Sequence, residues 1–324
     1  MLYHLCFRKA VNHTSLSRAN ESRDYRIFEG LGLYLIDMLR PMYSNIQPPQ
    51  ITIVNEIYAF DSTTISTSIK LATWVFGKYS KEAVKMHTLL DLRGNIPANV
   101  HITDGKWHDS NELDVLTPEP YAFYVMDKAY VDFKVLFRFH QAQSFGVSRP
   151  KENMKFDTVE QMDISDVKSG ILEDSRIRVT GYNSSKLYPE DMRLVRVYDP
   201  DNDTIVDFIS NNFEVCALEI SNLYRHRWDI EVFFKWIKQN ITVKTLWGYS
   251  ENAVKIHLWA AIISYLTVAR IKVGCNSPYS ITEVATLIRI SALERTDLRS
   301  LITKQNSLII LNQNVKELSL FGDI

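Results

Sequence analysis

Only three cysteines occur in the 324 residues, Cys6, Cys216 and Cys275, far apart and without a CxxC pair. That usage suggests neither a thiolate zinc site nor a disulfide framework and fits a reducing cytoplasm. No secretory signal opens the chain, because Met1 is soon followed by Arg8 and Lys9. No apolar run reaches the ~20 residues of a membrane span. The most apolar one, Leu258 to Ala269, is flanked by Lys255, His257 and Arg270 and reads as a buried core helix. His87, His101 and His108 show neither HxxxH nor HExxH spacing, so they read as core or surface histidines rather than a ligand set. The run Ser62-Thr63-Thr64 has no placed histidine and no glycine elbow, which leaves it as turn residues rather than a nucleophile. There is no internal repeat and no low-complexity segment. The net charge of −1 does not advertise a partner of high charge.

What is present is a chain of 46% hydrophobic residues, enough for a large core organised as one big domain or two to three pieces. Its charge is unevenly spread. Residues 221–272 hold eight Lys/Arg against three acids, a local +5, whereas residues 151–207 hold eight against thirteen, a local −5. The first of these is a candidate phosphate-contacting surface.

Residues 1–40 read as helical, with Ser15 as a cap, Ile27, Leu31, Leu35 and Leu39 recurring at four-residue spacing, and Pro41 as the stop. From Ile51 the texture becomes β-like. Ile57 to Phe60 is a strand ending in Asp61, and Lys85–Leu92 with Asn99–Thr103 form a hairpin around Arg93-Gly94-Asn95. Asp109 caps a short helix, and the nearly continuous apolar run Tyr121–Met126 is a buried central strand ending in Asp127. A helix over 132–143 and a strand Phe145–Ser148 follow. This order predicts an α/β fold, a mixed sheet with helices on its faces. Residues 149–212 break the rhythm with short β runs between polar turns, an antiparallel β insertion. Beyond it, Ser250 caps a helix to about Lys272, and Ser280-x-x-Glu283 is a capping box.

The loudest signal is the stretch Ser221 to Lys238, which contains no helix breaker and is expected to form one helix. At about 100° per residue, Tyr224, Arg227, Glu231 and Lys238 fall within a stripe roughly 60° wide. Leu223, Ile230, Phe233, Phe234, Trp236 and Ile237 cover most of the remaining circumference. A helix this apolar is mostly buried, so its charged stripe faces a polar interior or a ligand. The plainer alternative is ordinary helical ion pairing, since Glu231 lies four residues after Arg227 and four before Lys235.

Asp61 and Asp127 each follow an apolar strand, and Glu231 on a packed helix is a candidate third acid. A lone strand-end aspartate is more often a turn or cap residue than a ligand. Three converging carboxylates repel one another unless a cation neutralises them, and oxygen donors without imidazole or thiolate favour Mg²⁺ or Mn²⁺. Two such ions about 3.5–4 Å apart suit phosphodiester displacement.

The spacing Tyr224-x₂-Arg227-x₃-Glu231-x₆-Lys238, with Trp228 after the arginine, resembles the signature of bacterial insertion-sequence DDE transposases of insertion-sequence family four. Tyr58-Ala-Phe-Asp61-Ser-Thr-Thr64 resembles the strand of the first aspartate and Val125-Met-Asp127-Lys-Ala-Tyr130 that of the second, where the family has Asp-Arg-Gly-Tyr and this chain has Lys128 and Ala129. The likeness runs from about residue 10 to 275, including the stretch Lys85 to Asp109. It implies an RNase-H-like core that cleaves double-stranded DNA at element ends and joins the freed 3′ ends to a target, acting as a homodimer in a synaptic complex in the bacterial cytoplasm, associated with the nucleoid and not with a membrane. In that scheme Asp61 bridges two Mg²⁺ or Mn²⁺ ions, Asp127 and Glu231 complete one site each, Arg227, Lys238 and Tyr224 hold phosphates, and Trp228 stacks on an unpaired base or is a core tryptophan.

The organisation so implied is a helical remnant of a DNA-recognition region at 1–46, core segments at 47–148 and 213–273 around a β-rich insertion at 149–212, and a helical tail at 274–324. The family usually carries a longer helical segment ahead of the core, so the expectation here is an N-terminally shortened member. Two other readings are a truncated, non-catalytic derivative that binds DNA or full-length transposase and inhibits transposition, and a related nuclease without strand transfer.

Overall fold

The computed structural model describes residues 12–66, 83–104, 107, 109–164, 170–240, 250–292 and 297–303. Cys6, His108 and the tail beyond residue 303, all read from the sequence above, lie outside them. The chain divides into a unit of Tyr43–Lys235 and a unit of Met1–Met42 with Trp236–Ile324.

The helical run read near the start is two helices, α1 (His13–Ser22) and α2 (Arg26–Tyr43). Asn12 rather than Ser15 caps α1, accepting from the Thr14 amide at 3.2 Å. Asp24 turns the chain between the helices and accepts from the Arg26 amide at 2.9 Å. Pro41 lies inside α2 rather than stopping it; in the last turn it removes a single intrahelical hydrogen bond, and the helix ends at Tyr43.

The sheet unit starts with β1 (Ile57–Ser66), β2 (Ala83–Asp91) and β3 (Ile96–Asp104), an antiparallel meander. Gly94, at φ +152°, and Asn95, at φ 59°, make the β2–β3 turn. A Cβ at Gly94 would overlap the Tyr43 ring. Gly94→Ala is therefore expected to lower stability by about 1–3 kcal/mol, read as a fall in the urea midpoint; an unchanged midpoint would show that the turn relaxes freely.

After α3 (Asp109–Val115) comes β4 (Phe123–Met126), buried at all four positions because it lies between β1 and β5 (Phe145–Ser148) and runs parallel to both. A 3-10 turn at Lys128–Tyr130 and α4 (Phe133–Gln141), capped by Asp132, make the crossover. The order β3-β2-β1-β4-β5, with β2 alone reversed, is the RNase-H-like arrangement that the resemblance implies. On one face Tyr58, Phe60, Tyr124 and Met126 pack with Tyr130, Val135 and Phe139. By alternation Asp61 belongs to the opposite face, with Ile57 and Ala59.

The insertion is β6 (Phe156–Gln161), β7 (Ile171–Val179), a one-turn helix α5 (Ser184–Leu187), β8 (Asp191–Asp199) and β9 (Thr204–Ser210), antiparallel throughout. It is not a separate layer. β9 pairs with β5 at Val147↔Ser210 and Ser148↔Ile209, which extends the core into one nine-stranded sheet.

The stretch around residue 220 is the main departure from the sequence reading. It forms α6 (Ala217–Arg225) and α7 (Trp228–Asn240), broken at His226–Arg227 without proline or glycine. The bonds Arg227 N to Tyr224 O (3.1 Å), Asp229 N to His226 O (3.0 Å) and Ile230 N to Arg227 O (3.3 Å) span three residues instead of four, so the backbone tightens there and the helix axis restarts. The four-residue stripe is therefore not one continuous helix face.

The remaining helices among the described residues are α8 (Glu251–Gly274), α9 (Ile281–Ser291) and α10 (Leu298–Ile302). Ser250 caps α8 and the Ser280–Glu283 capping box closes in both directions, as read. α8 passes for a membrane span by length and composition, but 56% of its apolar window is buried, including Trp259, Ile262, Leu266 and Ala269, which is the pattern of a core helix. In this helical unit Asn252 ties α8 to the α1–α2 turn by accepting from the Tyr25 amide at 2.9 Å.

Candidate active site

The last paired residues of the parallel β1–β4 ladder are Phe60 and Met126. Asp61 is the next residue of β1 and Asp127 the residue that follows β4, so the register brings the two aspartates out at the same end of the ladder. Asp61 is not at the end of its strand, as the sequence suggests, since β1 continues to Ser66 by pairing with β2. What ends at Asp61 is the pairing with β4.

Asp61 is firmly held. Its Oδ1 accepts from the Ser62 amide at 2.7 Å and from the Tyr130 hydroxyl at 3.0 Å. Its Oδ2 lies 3.8 Å from Nη1 of Arg227. Burial nevertheless pushes its carboxyl above the ordinary aspartate value, the two hydrogen bonds and Arg227 pull it back, and the Glu231 charge adds to the rise. Tyr130 is a positioning residue that sequence reasoning passed over, although it stands in the quoted Asp127-Lys-Ala-Tyr130 run. It is buried in the 3-10 turn with its ring edge-on to Phe60, 5.1 Å away. Tyr130→Phe is expected to cost about 0.5–1.5 kcal/mol and to raise the Asp61 titration further, measured by carboxylate NMR; an unmoved Asp61 would deny the tyrosine this role.

Asp127 caps the 3-10 turn, accepting from the Ala129 amide at 3.0 Å. Ala129 is absent from the residues at positive φ, so the alanine that stands where the family has glycine meets no backbone strain. Lys128 is 3.0 Å from Glu152 on the surface.

Arg227 sits at the break between α6 and α7 with its side chain 13% exposed. Its Nη2 donates to Glu231 Oε1 at 2.8 Å, while Nη1 faces Asp61. The predicted four-residue ion pair is thus real, and it also spans to the strand acid. Tyr224 lies beneath, its ring 5.8 Å from the Arg227 guanidinium and 5.0 Å from the Phe208 ring. Burial raises the Tyr224 phenol, Arg227 and Arg149 oppose that, and Asp127 adds to it. Burial also works against the Arg227 charge, but the Glu231 hydrogen bond and the charges of Tyr224, Glu231 and Asp127 outweigh it and the guanidinium is held above its ordinary value. Asp61, Asp127, Tyr224, Arg227 and Glu231 thus form one electrostatic cluster.

Trp228, the first residue of α7, is 60% exposed, which removes the core-tryptophan alternative. Lys238 is exposed on the last turn of α7 and belongs to the helical unit, not to the sheet unit that carries the acids. Among the described residues no three His, Cys, Asp or Glu side chains form a ready metal-holding group. The donor chemistry nonetheless suits a hard divalent ion, being carboxylate oxygen alone, with a guanidinium between two of the acids supplying the positive charge they require. The histidines have partners elsewhere: His101 is 2.8 Å from Glu112 and His87 is 2.9 Å from Thr103.

Paired strand aspartates on an RNase-H-like sheet, joined by a helix glutamate, define the class of DDE enzymes. The chain belongs to the family described as Transposase DDE domain, which matches residues 54–267. A protein of Sinorhizobium fredii named as the transposase y4zB is 33% identical over 208 residues, 63% of this chain and 58% of its own length. One from Geobacillus stearothermophilus, named as the transposase for insertion sequence element IS5377, is 29% identical over 207 residues, 64% of this chain and 54% of its own. A Synechocystis protein named as the transposase for insertion sequence element IS4SA is 26% identical over 265 residues, 80% of this chain and 71% of its own. The chain spans little more than half the length of the first two.

Proposed function

We propose that this chain is a DNA transposase, cutting phosphodiester bonds at insertion-sequence ends and joining the freed 3′ ends to target DNA. The observation that carries the reading is the juxtaposition of Asp61 and Asp127 by the β1–β4 register, with Glu231 reaching the same cluster through Arg227. Retention of all three acids favours an enzyme over a non-catalytic DNA-binding derivative. The core is assigned to residues 47–148 and 213–273, the β insertion to 149–212, and the flanking segments to 1–46 and 274–324.

Asp61, Asp127 and Glu231 would hold two Mg²⁺ or Mn²⁺ ions. When bound, such ions supply Lewis-acid activation of a water or 3′-hydroxyl and neutralise charge on the leaving oxygen. The chain's own groups do the rest. Ser62 and Tyr130 fix the direction of the Asp61 carboxylate. Arg227, exchanging its carboxylate partners for a phosphate, would steady the strand next to the cut, with Tyr224 and Lys238 as further phosphate contacts. Trp228, exposed at the first residue of α7, would stack on an unpaired base. The partner is double-stranded DNA, engaged by a homodimer in a synaptic complex.

The test is Mn²⁺-dependent nicking of supercoiled plasmid, followed by strand transfer from pre-cleaved ends. Nicking that depends on Asp61 and Glu231 supports the reading. Nicking without strand transfer would favour a nuclease, and a folded, DNA-binding chain that never nicks would sink the catalytic assignment.

A further inference from the structure

The segment Pro49–Ile53 leads into β1 without a strand partner of its own, and a backbone in that state must find its hydrogen bonds elsewhere. It finds them on one face of α6. Glu219 Oε1 accepts from the amides of Thr52 (2.5 Å) and Ile53 (3.1 Å), the Asn222 carboxamide donates to Gln50 O (3.1 Å), and His226 Nε2 meets Pro49 O (2.8 Å). Positions 219, 222 and 226 are one helical stripe. The strap carries the strand of Asp61, and the last residue of the stripe is the break that aims Arg227 and Glu231.

His226 is the unusual member. Its Nε2 faces a carbonyl oxygen, and its Nδ1 faces Asp229 Oδ2 at 3.0 Å. Both partners only accept. A neutral imidazole has one N–H and satisfies one of them; the imidazolium satisfies both. The side chain is 17% exposed, so water substitutes poorly for a lost bond. We infer that His226 is a positioning residue that acts as its imidazolium, clamping the Pro49 turn to the start of α7 and thereby fixing the site-bearing junction between α6 and α7 against the strand of Asp61. This role rests on the transposase reading for its catalytic consequence, though not for the clamp itself.

The charged group facing His226 from α7 is Asp229. The strap offers only the Pro49 carbonyl, and on α6 Glu219 is taken up by Thr52 and Ile53. The Asp229 hydrogen bond raises the His226 pKa above the ordinary 6.5, burial opposes, and the Pro49 carbonyl and the Asp229 charge add to the rise. Because the folded value is the higher one, the clamp is complete below the unfolded value of 6.5 and is lost as pH climbs through the folded value.

The experiment follows the His226 ring by NMR, assigned with His226→Gln, in the wild type and in Asp229→Asn, alongside melting temperature and Mn²⁺-dependent nicking as functions of pH. His226 is expected to titrate above its ordinary value. Nicking should fall on the alkaline side at that same pH, by about 10–100-fold, and melting should fall with it. Asp229→Asn should move the ring titration and both limbs downward together, and His226→Gln should remove the limb at a uniformly low rate. An ordinary His226 titration, or an alkaline limb that stays in place when Asp229→Asn moves the ring, would overturn the proposal. A wild type that does not nick would sink the transposase reading alone; the clamp would then be supported if the melting limb follows the ring and overturned if it does not.

Discussion

Replacing Asp61 by Asn, or Glu231 by Gln, is expected to lower Mn²⁺-dependent nicking by about 10³–10⁴-fold, the scale on which groups that act as a unit fail together. Both substitutions keep shape and remove one negative charge. Asp61→Asn leaves the Ser62 and Tyr130 hydrogen bonds an acceptor oxygen, and it withdraws the charge that faces Arg227. Glu231→Gln keeps an oxygen for Arg227 Nη2 while abolishing the ion pair. Neither change opens a cavity, and Glu231 is about a third exposed at 35%, so melting temperature should move little. The double variant should be no worse than the poorer single one. The measurement is a single-turnover plasmid assay with thermal unfolding as control. Additive losses would mean that the two acids serve different steps, and nicking that survives both would remove the carboxylate cluster from the chemistry.

The largest stability effect is expected at Arg193. Its guanidinium grips Asp174 through two bonds, Nε to Oδ1 at 2.8 Å and Nη2 to Oδ2 at 2.7 Å, and Nη1 donates to the carbonyls of Val215 (2.6 Å) and Asn212 (3.3 Å). Both side chains are 3% exposed. Arg193→Met strands the Asp174 carboxylate and two carbonyls in the interior, which should cost about 3–5 kcal/mol, measured from urea unfolding at constant m-value. Adding Asp174→Leu should recover much of that loss, because the pair itself is nearly neutral against a hydrophobic replacement and the penalty lies in the orphaned charge. A single-variant cost below about 1 kcal/mol would show that water reaches the pair. The clamp holds residues 212–215 where β9 hands over to α6, so nicking should fall with stability.

The local grammar was legible in the chain. The four-residue apolar β4 announces a strand buried on both faces, the Arg93-Gly94-Asn95 turn announces the hairpin, and Ser280 with Glu283 announces a helix start; each is set by neighbours a few residues away. The candidate acids were legible as well, because Asp61 and Asp127 end apolar runs and Glu231 stands in a spaced signature. The break at His226 was not. Every residue from 221 to 238 tolerates a helix, and the tightening coincides with a bond to Pro49, 177 residues earlier. Nor was the role of Tyr130, whose hydroxyl partner lies 69 residues away on β1, or Arg193, which reads from sequence as one more charged residue in an acidic insertion.

By itself, then, the sequence determined most of the elements and their order, the candidate acids and the family, since these rest on periodicity, turn chemistry and spacing along the chain. The tertiary structure alone decided that β9 joins β5 to make one sheet, that Asp61 and Asp127 leave the β1–β4 ladder at the same end, that Arg227 lies between Asp61 and Glu231, and that Lys238 falls in the other unit. The reason is physical. Register, burial of charge and the satisfaction of an unpaired backbone depend on groups brought together from distant parts of the chain, and no local preference encodes which of them will meet.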